Sequence, residues 1–371
     1  MKHFFTLSPI AAALLLASSI SLADGNTSEI VQDGDGNIAD VTQTTTTDAD
    51  TLVIQTGIDN NATVLQINST MPLATIETTG EGNFANIVQR NSDFVSADIL
   101  QDGEYNDADI RQRGQSDYST ALIEQTTDFS LLPTDLNIAS IIQMGGSDAN
   151  AEIYQQNGSS EGIASIVQDA AIGLTHASIT QSETILTNAD ITQTGDLQTA
   201  TVFQDYTFGS NSTIDQAGGT NIGSIEQWAY TDDTNASIFQ DGLSNTAAIV
   251  QDDVFSNLFD INDPTASSAA VSQIGNGNFA DIYQYFGVDV QATVTQVGDD
   301  NEAWVDQTGE VNIATIDQTG MGNYAEISQS GLGDWGIGAN EATITQLGDY
   351  DSAFITQAGG AANLATITQQ P

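Results

Sequence analysis

Residues 312–329 read Asn-Ile-Ala-Thr-Ile-Asp-Gln-Thr-Gly-Met-Gly-Asn-Tyr-Ala-Glu-Ile-Ser-Gln. In this stretch the series Asn, Ala, Ile, Gln occurs twice at every second position, first from Asn312 and again from Asn323. Side chains alternate between the two faces of a β-strand, so the four residues of each series share one face. The stretch therefore predicts two short strands, joined by a turn in which Gly320 supplies a positive φ.

The same pattern recurs along nearly the whole chain. Aligned on the Gln, 29 units run from Gln32 to Gln369, and the residue two positions earlier is Ile or Val in every unit. The aligned residue is Gln in 27 units, with Thr78 and Asp263 as exceptions, and the residue four positions earlier is Ala in 24. Two units span about 23 residues, a period typical of solenoids. The predicted fold class is all-β, a two-sheet β-solenoid of about 14–15 rungs.

The uniform residues are expected inside this solenoid and the variable polar residues outside. The same residue recurs one rung up, about 4.8 Å away, so buried amides can donate to and accept from each other in stacked ladders. Such ladders remove the cost of burying an unpaired polar group, and the alternation fixes the register. The predicted ladder glutamines are Gln32, Gln43, Gln55, Gln66, Gln89, Gln101, Gln112, Gln307, Gln318, Gln329, Gln346, Gln357 and Gln369. The predicted ladder asparagines are Asn37, Asn83, Asn106, Asn301, Asn312, Asn323, Asn340 and Asn363, with Ile316, Ile327, Ile344 and Ile367 between the amides.

Composition excludes several classes of function. The chain of 371 residues has 50 acidic and 4 basic residues, a formal net charge of −46, no cysteine and two histidines. Without cysteine there is no disulfide framework and no thiolate metal site or nucleophile. The negative charge disfavours nucleic acid and anionic membrane surfaces as partners. We expect no cofactor and no enzyme, because a single histidine beyond the N-terminal segment leaves no nucleophile–base pair.

The N-terminus resembles a secretory signal peptide. Lys2 precedes an apolar stretch at 10–17, and the small-x-small sequence at 21–23 is a cleavage site. The apolar run is too short to span a bilayer. The expected organisation is a signal peptide at 1–23 followed by one repeat domain at 24–371.

Three inserts interrupt the repeat, at 126–136, 254–265 and 330–338, and we expect them to be loops. The second conceals a degenerate strand around Ile261.

One acidic turn has features of a metal site. Asp33-Gly34-Asp35-Gly36-Asn37 resembles the start of a calcium-binding loop but lacks the closing Glu. An ordinary acidic turn is the favoured interpretation, and weak calcium binding is the alternative.

The spacing Gln-x-Gly-x-x-Asn-x-Ala-x-x-x-Gln, present at 307–318 and 318–329, resembles the curlin-associated repeat, and the resemblance covers essentially all of 26–370. It implies a secreted subunit of curli-type fibres, the functional amyloid of the bacterial biofilm matrix, which mediates adhesion and aggregation. It also implies self-association, with nucleator and secretion-channel proteins as partners. In that family the inner ladders of a two-sheet solenoid are formed by the positions that correspond here to Gln318, Gln329, Asn312 and Asn323.

A second class of function is a monomeric solenoid that binds an extended surface such as ice or polysaccharide. Thr293, Thr315, Thr343 and Thr366 form an outward column like the threonine arrays of ice-binding solenoids, although threonine also simply favours strands. A monomer needs capped ends, whereas an assembling subunit leaves its edges open. The first and last units are both ordinary repeats, which favours assembly.

Overall fold

The computed structural model describes residues 25–126, 136–169, 173–229, 231–254, 267–331, 339–360 and 362–371. All the regular secondary structure in these residues is β-strand, and the 28 strands form two sheets of 14. The predicted all-β solenoid is therefore confirmed. The predicted signal peptide and most of the three inserts lie outside the described residues.

The strands alternate between the two sheets in chain order. The odd sheet consists of β1 (Thr27–Asp35), β3 (Asp50–Ile58), β5 (Leu73–Glu81), β7 (Ser96–Glu104), β9 (Thr120–Thr126), β11 (Ala149–Gln156), β13 (Thr175–Ser182), β15 (Thr199–Asp205), β17 (Ile222–Trp228), β19 (Thr246–Asp252), β21 (Phe279–Val288), β23 (Glu302–Glu310), β25 (Tyr324–Ser330) and β27 (Ser352–Ala358). The even sheet consists of β2 (Ile38–Thr44), β4 (Asn61–Ile67), β6 (Phe84–Arg90), β8 (Asp107–Arg113), β10 (Ile138–Met144), β12 (Ile163–Asp169), β14 (Asn188–Asp196), β16 (Asn211–Gly219), β18 (Asn235–Leu243), β20 (Ser268–Ile274), β22 (Gln291–Val297), β24 (Asn312–Thr319), β26 (Asn340–Leu347) and β28 (Leu364–Gln369).

Each strand pairs in parallel with the strand two places along the chain, so the backbone coils through both sheets once per rung. Equivalent repeat positions face each other across every pair. Gln32 pairs with Gln55, and Ile316 pairs with Ile344. The repeat period in sequence is thus the rung of the solenoid, and stacking copies of one unit builds a continuous core.

The core lies between the two sheets and consists of the uniform residues of the repeat. In β24 the residues Asn312, Ala314, Ile316 and Gln318 are buried, whereas Thr315 is half-exposed. The same alternation occurs in the other interior strands. The predicted facing is therefore confirmed, with Ile and Val filling the centre and Ala allowing the sheets to approach.

The turns contain more left-handed residues than the glycines alone predict. Gly57 has φ +120°, and Asp59, two residues later, has φ +54°. Gly57 stacks on Gly80 of the next rung so closely that a Cβ atom on Gly57 would lie 2.0 Å from the Gly80 carbonyl oxygen. Glycine is needed here for its backbone conformation and also for the close approach of successive rungs. The Asp59 position is tolerated because short polar residues enter the left-handed region at modest cost.

The second insert does not interrupt the stacking. Its predicted degenerate strand around Ile261 lies outside the described residues, and β18 pairs directly with β20 across the insert.

Candidate functional site

The inward glutamines of the even sheet form one continuous ladder. The Nε2 atom of each donates to the Oε1 atom of the next residue towards the C-terminus, over N···O distances of 2.7 to 3.0 Å. The ladder runs through Gln43, Gln66, Gln89, Gln112, Gln143, Gln168, Gln193, Gln216, Gln240, Gln273, Gln296, Gln318, Gln346 and Gln369. Because every amide donates in the same direction, the ladder has a polarity along the solenoid axis.

The ladder of the odd sheet is interrupted once. It joins Gln32 to Gln55 and then resumes from Gln101 to Gln357. At the interruption Thr78 takes the place of a glutamine. The Gln55 Nε2, Thr78 Oγ1 and Gln101 Oε1 atoms are all buried and have no hydrogen-bond partner among the described residues.

Many of these glutamines donate their second amide hydrogen across the core, to a backbone carbonyl oxygen of the opposite sheet. Gln318 Nε2 donates to the Glu302 carbonyl oxygen at 3.0 Å, and Gln329 Nε2 donates to the Ile313 carbonyl oxygen at 3.1 Å. Such a glutamine satisfies both its amide hydrogens, one along the axis and one between the sheets. The ladders therefore hold the two sheets together as well as the successive rungs. The repeat pattern did not predict this bond, because it depends on how the sheets are staggered.

Replacing Thr78 by glutamine should stabilise the solenoid. The new amide would restore the two missing axial bonds and satisfy the orphaned atoms of Gln55 and Gln101, a gain of about 1–3 kcal/mol at roughly 0.5–1.5 kcal/mol per bond. Urea unfolding of the parent and the variant measures the difference. The exposed neighbour Thr79 provides the control, since Thr79→Gln adds the same side chain outside the core. A destabilised Thr78→Gln variant would show that the gap cannot accept an amide.

Asparagines form shorter ladders at the turns. Asn60 Nδ2 donates to Asn37 Oδ1, and Asn83 Nδ2 donates to Asn60 Oδ1, over 3.2 and 3.1 Å. The amide of Asn83 also donates to the Gly103 carbonyl oxygen at 2.8 Å, which ties the ladder to the stacked glycines. The first run ends at Asn106, whose side-chain amide has no partner among the described residues. Two further runs join Asn245, Asn278 and Asn301, and Asn312, Asn340 and Asn363. Asn323 follows the first of these runs through its backbone N–H, which donates to Asn301 Oδ1.

The predicted glutamines and most of the predicted asparagines lie in these ladders, and Ile316, Ile327 and Ile344 lie in the buried core. Asn106 and Asn323 instead meet the preceding asparagine through their backbone N–H groups. The prediction omitted several residues that share the same repeat position. These are Gln125, Gln143, Gln155, Gln168, Gln181, Gln193, Gln204, Gln216, Gln227, Gln240, Gln251, Gln273, Gln284 and Gln296, and Asn60, Asn221, Asn245 and Asn278. The same alignment of units was the signal that could have found them.

The two ends of the solenoid differ from its interior. All of β1 is exposed, and the inward residues of β28 are only half-buried. Val41 at one end and Ile367 at the other pack against the core from one side only. Among the described residues nothing covers these end rungs, which therefore present sheet edges with unpaired backbone groups.

Carboxylates on the outer faces are partly desolvated. Burial raises the pKa of Asp281 above its usual value of 3.8. Burial raises the pKa of Asp107, and the charge of Asp109 raises it further. Burial likewise raises the pKa of Asp306, and the charge of Glu326 adds to the shift. The pKa values of three more are raised chiefly by burial: Asp205, Asp232 and Asp252.

These shifts predict that the folded solenoid gains stability as the pH falls from 7 towards 4. A carboxyl group whose pKa is higher in the folded state binds its proton more tightly there, so its contribution is present at low pH and lost as pH rises through the raised pKa. Thermal unfolding of dilute, unassembled protein at several pH values and fixed ionic strength measures this. The double variant Asp281→Asn and Asp306→Asn should show a flatter dependence. A melting temperature that falls steadily on acidification would contradict the prediction.

The acidic turn and the histidine are not part of a metal-binding cluster in the described residues. In the described residues no group of three or more His, Cys, Asp or Glu side chains is arranged to hold a metal ion. Asp33 and Asp35 lie at the exposed end of β1, and His176 lies on the outward face of β13. The described part of the chain also contains no helix long and apolar enough to cross a membrane.

Comparison with known proteins agrees with this architecture. The family model of the curlin associated repeat matches residues 298–331 and 339–370, which include all of β23 to β28. No curated protein matches the chain by sequence. The matched residues share their inward series and their amide ladders with the preceding rungs. The match includes the two stretches, 307–318 and 318–329, whose spacing predicted the resemblance, and over residues 298–331 and 339–370 this β-solenoid matches the curlin associated repeat.

Proposed function

We propose that this chain is a structural subunit, secreted by a bacterium, that stacks end to end into curli-type amyloid fibres of the extracellular matrix. The single observation that carries the proposal is the pair of end rungs, which continue the interior strand pairing and on which no other described residue packs as a cap. A second copy placed on such an edge would extend both sheets by the same parallel pairing. Export of the chain after removal of residues 1–23 belongs to the same proposal, as does its role in adhesion and aggregation.

The polarity of the ladders supports head-to-tail stacking. At the N-terminal end Gln43 uses its Nε2 atom within the chain, and in the described part of the chain no donor reaches its Oε1 atom along the axis. At the C-terminal end Gln369 donates across to the Ser352 carbonyl oxygen, and its other amide hydrogen is available to donate along the axis. A donor end therefore meets an acceptor end when the C-terminal rung of one copy stacks on the N-terminal rung of the next.

Electrostatics would control the rate of this assembly. The net charge of −46 makes copies of the chain repel each other, and the repulsion weakens with added salt. Low pH should also accelerate assembly, because protonation removes carboxylate charge. Calcium would act at lower concentration than sodium if it bridges carboxylates of neighbouring copies. Nucleator and secretion-channel proteins are the further partners that we propose from the family.

Two aspartate substitutions in β28 test the proposal. Ile367 faces inward on the terminal rung and is half-buried, whereas the adjacent Thr368 faces outward and is exposed. The parent and Thr368→Asp should form fibres that diffract at about 4.7–4.8 Å and ~10 Å. Ile367→Asp should stay folded but unassembled, because each new junction would bury a charge. Assembly of Ile367→Asp at the parent rate would overturn end-rung stacking, and a parent that stays monomeric at low pH and high salt would overturn self-assembly itself.

A further inference from the structure

Trp304 lies at the centre of a ring of four carboxylates on the outer face of the odd sheet. Asp281 is its partner on β21, and Glu326 is its partner on β25. Glu302 and Asp306 flank it within β23, two residues away on either side, so all five side chains share one face. Trp304 as a whole residue is 36% exposed to solvent.

The diagonal neighbours of Trp304 are mainly aromatic. Phe279 and Tyr283 flank Asp281 on β21, and Tyr324 precedes Glu326 on β25. The rings of Phe279 and Trp304 approach to 4.9 Å between centroids. Acidic and aromatic side chains therefore alternate both along the strands and along the solenoid axis.

Several of these groups are held in place. Trp304 Nε1 donates to Glu302 Oε1 at 2.7 Å, and Tyr324 Oη donates to Glu326 Oε2 at 3.1 Å. Asp281, Trp304, Asp306, Tyr324 and Glu326 line one cleft of about 400 Å³. The cleft is thus lined by aromatic rings together with three carboxylates, of which Glu326 is held by Tyr324.

This acidic patch has no cation of its own. The arginines of the described residues are Arg90, Arg111 and Arg113, on β6 and β8 of the other sheet. The ion pair found in the described residues joins Arg111 to Asp109. The negative charge around Trp304 is therefore complementary to a ligand from outside the chain.

The spacing selects the kind of cation. Successive rungs are about 4.8 Å apart and residues i and i+2 of a strand roughly 6.6–6.8 Å apart, so the four carboxylates occupy diagonal positions and no two are directly paired in register. A small metal ion needs several oxygen ligands within about 2.6 Å, and no three acidic side chains of the described residues converge in that way. A larger organic cation contacts an aromatic face directly and tolerates carboxylates at a greater distance.

We propose that this ring binds an organic ammonium ion, with the cation seated over the Trp304 indole and its charge balanced by the four surrounding carboxylates. Tryptophan is the most favourable aromatic partner for such a cation. The face points outward from the solenoid, so the proposal is independent of stacking at the end rungs.

Choline binding to the full chain tests the proposal, measured by tryptophan fluorescence or calorimetry at constant ionic strength with sodium as the replaced ion. We expect saturable binding in the parent. Trp304→Leu should weaken it about 2- to 30-fold, which corresponds to a cation–π contribution of roughly 0.5–2 kcal/mol. Glu326→Gln should weaken it about 1.5- to 5-fold, as for an exposed charge pair. Phe84→Leu is the control, since Phe84 is an exposed aromatic residue of β6 whose partners in the neighbouring strands are Asn61 and Asp107, and it should bind like the parent.

Three results would overturn the proposal. The first is the absence of saturable choline binding in the parent. The second is equal binding in the parent and in Trp304→Leu. The third is binding of an uncharged cello-oligosaccharide in place of choline, which would identify the face as a sugar-stacking surface. Circular dichroism of each variant verifies that the solenoid is folded, and the conservative Glu326→Gln change keeps the test decisive if Trp304→Leu is unstable.

Discussion

Ile316→Asp should unfold the rungs around β24, whereas Thr315→Asp should leave them folded. Ile316 is fully buried between the sheets, so aspartate there removes apolar packing and places an unpaired charge in the core. We expect a loss of roughly 4–5 kcal/mol or more, the range reserved for severe core lesions. Thr315 faces outward, and aspartate there adds only repulsion from Asp317, about 0.6 kcal/mol across a separation of ~6.7 Å in water.

Hydrogen exchange resolved along the chain measures this difference best, because a solenoid unfolds by rungs and a single melting curve averages over them. Amides of β22, β24 and β26 should lose protection in Ile316→Asp and keep it in Thr315→Asp. Equal loss in both variants would contradict the facing of the repeat.

Gly80→Ala should disrupt the solenoid almost as strongly, although it adds only a methyl group at a turn. Gly80 has φ +116°, a conformation that residues with a Cβ rarely adopt, and its new Cβ would lie 1.9 Å from the Gly103 carbonyl oxygen. That oxygen also accepts a hydrogen bond from Asn83, so relief of the clash would break the asparagine ladder. We expect the free energy of unfolding to fall by about 3 kcal/mol or more, which exceeds the roughly 1–3 kcal/mol that backbone strain alone would cost.

Gly114→Ala is the matched control for this prediction. Gly114 also has a positive φ, +73°, but a Cβ there would meet nothing closer than the Gly145 nitrogen at 3.9 Å. It should lose only about 1 kcal/mol, the typical cost of a left-handed conformation for a residue with a Cβ. Urea unfolding of the two variants separates backbone strain from rung-to-rung contact. Equal losses would mean that the stacked glycines have room to separate.

The sequence predicted the facing and the ladders well, because both follow from one alternating series. Ile316 and Thr315 occupy adjacent positions of the repeat unit, and period-2 alternation places adjacent positions on opposite faces of the strand. Gln318 and Gln346 are at the same repeat position, so parallel stacking in register brings them together.

Other features could not be predicted from the repeat alone. The bond from Gln318 to the Glu302 carbonyl oxygen depends on the offset between the two sheets, which no residue in the unit specifies. Thr78 was visible as an exception, but its consequence for Gln55 and Gln101 depends on which rungs are neighbours. The column Asp281, Trp304 and Glu326 does follow from the repeat alignment, but the hydrogen bond from Trp304 to Glu302 and the cleft beside it do not.

The coiled path of the backbone determines how the solenoid would respond to a pulling force. Successive rungs are joined by hydrogen bonds, but the chain also passes from each rung to the next through a covalent turn. When an end rung is pulled away, the solenoid releases about 23 residues of chain. These residues extend to ~80 Å at roughly 3.3–3.6 Å per residue, whereas the folded rung contributed a height of only about 4.8 Å. Tension therefore lengthens the molecule stepwise without cutting it, and each step dissipates work, so a material built from such rungs would be tough as well as stiff.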